Sequence, residues 1–417
     1  FILNLIRLEI DIMATRHVYL DNAATTGVSA PVLEAMLPFL KEAYGNPSSV
    51  HSWGREARKA LNNARRQVAA ALGAQENEIF FTGCGTESDN WAIRGTAMAK
   101  RDKCRHIITS AIEHHAVLHT CQALEKEGWE VTYLPVDREG FVSPSDVEKA
   151  IRPDTVLVSI MAANNEIGTI QPIDEIGAIC HAHGVLFHTD AVQAVGHVAF
   201  DLDKSNIDML SLSGHKIHAP KGVGALYIRK GVHIDNFMLG GAQESRHRAG
   251  TENMASIVGL GKAIEIATTD LERRASELAA KRDHMIERIL TEIPETMVNG
   301  SRDKRLPGNV NISIRYLESE SVLLNLDLKG IAASSGSACT SGSLDPSHVL
   351  MAIGISHELA NGSLRMSLDE SNSLDDLDYA VDTLKDIVAR LREMSPLYAD
   401  AQRGVYVENS DECNFCH

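Results

Sequence analysis

The sequence predicts an α/β protein: a large domain on a mostly parallel sheet, followed by a smaller α+β domain. Three observations carry that expectation. From about residue 78 to 230, short apolar runs alternate with amphipathic stretches. A long segment, roughly 252–292, places apolar residues at helical spacing, is rich in Glu, Arg and Lys, and leads out of the first domain. Beyond the loop "PETMVNGSRDKRLPGN", strands and helices mix on a smaller scale.

Taken in order, "EIFFT" reads as a strand followed by a helix over 86–100, and "RHIITS" as a strand followed by a helix over 114–127. "TVLVSIMAA" precedes a helix over 173–183, and "VLFHTD", "DMLSLS" and "GALYIRK" complete the set. The second domain reads as "VNISI", a helix near 319–328, a segment around Cys339, "GSLRMSL" and a last helix near 374–394, running into a tail. No internal repeat is visible.

Composition narrows the function classes. With 44% hydrophobic and 23% charged residues over 417, the chain has the make-up of a globular protein with a sizeable core. Its formal charge of −16 opposes the field needed to hold phosphate backbones or an anionic membrane surface. Seven scattered cysteines suit a reducing, cytoplasmic compartment rather than a disulfide framework. No apolar run approaches the roughly 20 residues of a membrane helix, and the opening "FILNLIRLEIDI" is interrupted by Arg7, Glu9 and Asp11. Those first residues precede "MATRHVYLDNAATT" and read as an extension outside the fold.

The chemistry sits at strand ends, where open α/β sheets bind ligands. In "SLSGHKIHAPKGVGALY", an interior strand delivers Lys216, which by itself is more often a solvated charge. "FHTDAVQ" places Asp190 and Gln193 beyond another strand; Asp190 is either a helix cap or an acid that pairs with a protonated pyridine nitrogen. Together, a lysine that can bond an aldehyde and such an acid are the minimum apparatus for pyridoxal phosphate chemistry. A phosphate cradle is available in "FFTGCGTESDNWAIRG": a strand, a turn at Gly83–Gly85, and Thr86 opening a helix whose N–H groups and dipole favour an anion. His114 in "SAIEHHAVL" and Asn164 and Asn165 in "ANNEIG" follow two further strands.

With these residues in place, the chain resembles the NifS/IscS-type cysteine desulfurases, members of the fold-type I, aspartate-aminotransferase-like pyridoxal phosphate enzymes. "YLDNAATT", "YGNPSSVHSWG", "FTGCGTESDN", "EHHAV", "NNEIGTIQPI", "HTDAVQAVG", "SLSGHKIHAPKGVGALY", "RAGTEN", "LPGNVNIS", "SSGSACTSGSLDPSHVL" and "GSLRMSL" carry the resemblance, in family order, over about residues 18–395. It implies a large cofactor-binding domain over 27–274 with a mostly parallel seven-stranded sheet. Residues 17–26 with 275–398 would form the small domain, between an extension (1–16) and a tail (399–417). Lys216 would carry the cofactor, Asp190 would pair with the ring nitrogen, Gln193 would lie near the phenolic oxygen, and His114 would stack on the ring. Gly85, Thr86, Ser213 and His215 would hold the phosphate, joined by Thr251 from the neighbouring subunit of a homodimer. Asn165 and Arg365 would take the carboxylate of L-cysteine, a task that suits a planar guanidinium.

The resemblance also assigns Cys339, a thiol in the polar, turn-rich run "ASSGSACTSGSLDPSH". Such a segment offers little apolar surface to bury a cysteine. Its thiolate would attack the substrate sulfur, leaving alanine and a persulfide for transfer to an iron–sulfur scaffold or another acceptor protein. Selenocysteine lyase or another β-elimination on the same fold is the alternative, and a non-catalytic scaffold is the reading from another class. The acidic "DESNSLDDLDY" after "GSLRMSL", and Gly83 where relatives often have serine, depart from the family pattern. The terminal "DECNFCH" offers Cys413, Cys416 and His417 either as incidental tail residues or as metal or sulfur ligands. "HAHG" and "HKIH" lack further ligands, so no metal site is assigned, and Cys84, Cys104, Cys121 and Cys180 read as packing residues.

Overall fold

The computed structural model describes residues 16–335 and 346–404. It divides into two compact units, one comprising Ala23–Asn165 and Thr169–Arg273, the other residues up to Asn22, Glu166–Gly168 and the chain from Arg274 onward.

The smaller unit begins with β1 (Val18–Tyr19), and the larger is built on seven strands: β2 (Ile79–Thr82), β3 (His106–Ser110), β4 (Glu130–Leu134), β5 (Thr155–Ser159), β6 (Leu186–Asp190), β7 (Met209–Ser213) and β8 (Gly224–Ile228). Their order across the sheet is β2-β8-β7-β6-β5-β3-β4. β8 alone runs opposite to the other six strands. The carboxyl ends of β2, β7, β6, β5 and β3 therefore share one edge of the sheet. Burial on both faces explains why most of these strands read as continuous apolar runs rather than alternating ones. The exception is β4, "EVTYL", absent from the sequence reading: it is one of the two outer strands and, unlike the fully buried β2 at the other edge, has its first residue exposed and the next three half-buried, so no apolar run marks it. Trp91, Ile93, Ile107, Val117, Leu124 and Leu157 anchor the core between this sheet and its helices.

The segment over 252–292 was expected to be one helix and is two, Met254–Thr268 and Leu271–Glu292. The hydroxyls of Thr268 and Thr269 bond back to the carbonyls of Ile264 and Glu265, and Asp270 takes a positive φ of 50°. Back-bonding threonines followed by a left-handed residue end the first helix despite continuing apolar periodicity.

The smaller unit holds a three-stranded antiparallel sheet of β9 (Thr296–Val298), β10 (Asn309–Ile314) and β12 (Ser363–Ser367), and a parallel pair of β1 with β11 (Ile331–Ala332). Helix Leu374–Glu393 starts at a capping box between Ser373 and Asp376. It buries Leu377, Ala380, Val381, Leu384 and Val388, one helical face, in the core that Val310, Ile312, Leu364 and Met366 supply. Helix Pro396–Gln402 runs from the end of the expected small domain across position 399 into the segment read as a tail. Among the described residues no helix is long and apolar enough to cross a membrane.

Candidate active site

Five strand ends bring candidate residues to one edge of the larger unit. Beyond β2, Cys84 starts helix Gly85–Lys100 without a side-chain cap, leaving the first turn to be satisfied from outside. A Cβ on Gly85 would come within 2.6 Å of Val192 Cγ2 and 3.3 Å of Ser213 Cβ, so only glycine fits. Ser213, the last residue of β7, is buried, and its Oγ has no hydrogen-bond partner. An orphaned hydroxyl is costly to bury. Beside an uncapped helix N-terminus, it matches the donor set that a phosphate needs. The Gly83 N–H, by contrast, is taken by Glu87 Oε2 at 2.7 Å, and Arg248 holds that carboxylate at 2.7 and 3.0 Å.

Lys216 ends a short turn that begins at Gly214, where a Cβ would press on Val223 and Ala219. Its Nζ donates to the carbonyls of Ala23 at 2.5 Å and Ala24 at 2.8 Å. Gln193 Nε2 donates to the same Ala23 carbonyl at 3.0 Å. These two side chains, 23 positions apart in sequence, thus converge on one point of "YLDNAATT". His215 lies next to Thr25, with 3.2 Å between Nδ1 and Oγ1, and burial, aided by Lys216, pushes its imidazole down to about 4. It is neutral at physiological pH and able to donate or accept.

Asp190 ends β6 and accepts the Val192 N–H at 2.9 Å. Burial raises its carboxyl to about 6, against the pull of that N–H and of Lys216, so it remains an anion at neutral pH. His114 caps helix His115–Lys126 through Nδ1, which accepts the Ala116 N–H at 3.1 Å and so fixes the ring's orientation. Asn164 is fully buried and donates to the Ile112 carbonyl at 2.9 Å, whereas Asn165 beside it is half-buried. Thr251 is exposed on the chain.

Arg365 belongs to the smaller unit. It sits mid-β12 opposite Asn311, with its side chain 4% exposed and Nη2 at 3.1 Å from Asp21 Oδ1. Cys339 lies outside the described residues, as do Cys413, Cys416 and His417. Burial pushes the Cys121 and Cys180 thiols up to about 12, which suits packing rather than chemistry. Among the described residues no group of three His, Cys, Asp or Glu is placed to hold a metal ion.

The sequence reading passed over a set of buried polar residues beneath this edge: Asp89, Glu113 and His188. Glu113 accepts from Ser110 Oγ at 2.6 Å and from the Met161 N–H at 3.1 Å, and burial lifts its carboxyl to about 8. The available signal was polar residues inside or beside otherwise apolar strand runs.

Comparison with known proteins follows the same lines. The aminotransferase class-V family profile matches residues 18–380. A cysteine desulfurase IscS from Methanosarcina thermophila is 59% identical over 382 residues, covering 92% of this chain and 94% of the relative. Among solved structures, a NifS-like protein superimposes with a TM-score of 0.85 at 39% identity, covering 90% of this chain and all of the other. SspA in complex with cysteine gives a TM-score of 0.75 at 40% identity, covering 84% of this chain and 98% of the other.

Proposed function

Since the chain belongs to the aminotransferase class-V family and, within it, to the pyridoxal phosphate-dependent cysteine desulfurases, we propose that it converts L-cysteine and the Cys339 thiol to L-alanine and a Cys339 persulfide. The balance closes without an external oxidant: the carbon–sulfur bond of the substrate breaks, a sulfur–sulfur bond forms, and the proton and electron pair end on the alanine methyl group. Pyridoxal phosphate, when bound, supplies the electron sink that makes the substrate Cα–H and Cβ–S bonds labile.

The observation that supports this most is the convergence of Lys216 and Gln193 on the Ala23 carbonyl, on the same sheet edge as the buried Asp190 and the orphaned Ser213 hydroxyl. In this reading Gly85, Thr86, Ser213 and His215 hold the phosphate by backbone and side-chain donors. Asp190 would pair with the ring nitrogen, Gln193 would serve the phenolic oxygen, and His114 would stack on the ring. Lys216 would carry the cofactor, and its amine would move the substrate Cα proton. Asn165 and Arg365 bind the substrate carboxylate. Thr251 completes the phosphate set of a neighbouring subunit in a homodimer, and the persulfide sulfur passes to an iron–sulfur scaffold or another acceptor protein.

Sulfide and alanine release from L-cysteine tests the reading, with the cofactor spectrum recorded on the same samples. Wild type should release both products. Cys339→Ala should keep the cofactor absorbance and lose sulfide release, while Lys216→Ala should lose the covalent cofactor band and about 10²–10⁴-fold in rate. Full activity in Cys339→Ala would sink the persulfide step and leave a different pyridoxal phosphate lyase.

A further inference from the structure

Beneath the end of β6 lies a polar layer that the reaction above does not use. Asp89, on helix Gly85–Lys100, is 1% exposed, and His188 and Glu113 are fully buried. His188 is strung between two hydroxyls, Nδ1 at 2.8 Å from Ser159 Oγ and Nε2 at 2.9 Å from Ser211 Oγ. Ser211 is the β7 residue in register with Asp190. Asp89 Oδ1 stands 3.7 Å from His188 Nε2 and has no hydrogen-bond partner. Glu113, by contrast, is tied to Ser110 and the Met161 N–H.

Three carboxyls and an imidazole thus share a space closed to water, where a second negative charge is expensive. Burial pushes the Asp89 carboxyl well above the usual range, with the charges of Asp190 and Glu113 adding to it and Ser211 opposing it. Burial also holds His188 neutral, down to about 3. Lys216 acts on Asp190 and favours its anion. Asp190 is therefore the group that keeps its charge at neutral pH, whereas burial and the charge of Asp190 push Asp89 toward its protonated form, as burial does Glu113.

We propose that Asp89 is a positioning residue for the cofactor ring: without touching the ring, its buried carboxyl packs 3.7 Å from His188 against the Ser159–His188–Ser211 chain and leaves Asp190 as the anion available to the ring nitrogen. The proposal rests on the cofactor reading above, yet it fails separately from it.

The test titrates apoenzyme with pyridoxal phosphate, following tryptophan fluorescence, and records the pH dependence of the bound cofactor's absorbance, for wild type, Asp89→Asn and Asp89→Leu. Asparagine is neutral and able to donate, so its affinity should stay within about twofold of wild type with an unmoved pH profile. Leucine has similar bulk and no polar atom, so its affinity should fall about tenfold and its pH midpoint should move by about one unit. Wild-type behaviour of Asp89→Leu would reduce Asp89 to a space filler, and an Asp89→Asn variant as damaged as Asp89→Leu would mean that Asp89 acts as an anion; either overturns the proposal. If Asp89→Leu does not fold, the infrared C=O stretch of a protonated, water-excluded carboxyl decides the matter. Wild type should show two such components at neutral pH, from Asp89 and from the equally buried Glu113, and Asp89→Asn should lose one of them, whereas an unchanged spectrum overturns the proposal. Failure of wild type to bind pyridoxal phosphate would strike the cofactor reading, while the infrared comparison would still test Asp89.

Discussion

The turn after β2 and the end of β6 meet opposite electrostatic demands a few strands apart. At the turn, the available donors are a helix N-terminus, a neutral His215 and the Ser213 hydroxyl, and the carboxylate close by, Glu87, is paired with Arg248. At the end of β6, carboxyls are crowded into a space without water, and Asp190 is the one that stays charged. The turn is thus specified by shape, and the end of β6 by the distribution of protons. Shape should fail on adding an atom; proton distribution should fail with pH.

Gly85→Ala is the largest expected break. The new methyl would lie 2.6 Å from Val192 Cγ2, so one of the two must move, at a cost of about 1–3 kcal/mol in stability. Cofactor affinity should fall more steeply than stability, because the displaced element is the helix start that the phosphate would use. Adding Val192→Ala should recover most of the stability in thermal melts. If Gly85→Ala alone binds pyridoxal phosphate like wild type, shape does not govern this end.

Glu113→Gln addresses the other end through pH. Burial raises the Glu113 carboxyl from 4.5 to about 8, so the folded state binds its proton more readily than the unfolded state does. Its contribution to stability is complete below 4.5 and is lost as pH rises through about 8. The buried His188 works in the opposite direction, but only below its ordinary value of 6.5. Between 6.5 and 8.5 the Glu113 carboxyl should therefore cost the apoenzyme roughly 2 kcal/mol of stability, the part of the slope that Glu113→Gln should remove, while the raised Asp89 carboxyl keeps its own contribution in the same direction. Denaturant midpoints across that interval measure it, and an unchanged slope in the variant would move the cause elsewhere.

The two ends also differed in how much of them could be read in advance. Gly83–Gly85 and Thr86 stand out because a glycine turn followed by a helix start is a local pattern. Asp190 and Lys216 stand out because each follows an apolar run. His188 and Ser211, however, lie inside "VLFHTD" and "DMLSLS", which read as apolar strands, and their meeting depends on the β6–β7 register. Register is decided by packing across strands, which periodicity along one strand does not encode. The same limit applies to the Ala23 carbonyl, which Lys216 reaches across 193 positions, and to β4, whose exposed and half-buried residues carry no apolar run.

Ser213→Ala gives the smallest effect and separates the two halves of the shape argument. In the apoenzyme the Ser213 hydroxyl is buried without a partner, so its removal should leave stability unchanged or raise it by up to about 1 kcal/mol. With pyridoxal phosphate present the same hydroxyl has an anionic acceptor, and losing it should weaken binding about tenfold, since hydrogen bonds to charged groups are the stronger kind. Thermal midpoints with and without cofactor should therefore move apart in opposite directions. If both fall together, the hydroxyl has a structural partner and the orphan at Ser213 is no sign of a ligand. If only the cofactor-bound midpoint falls, part of the fold's stability at this turn has been left for the phosphate to supply.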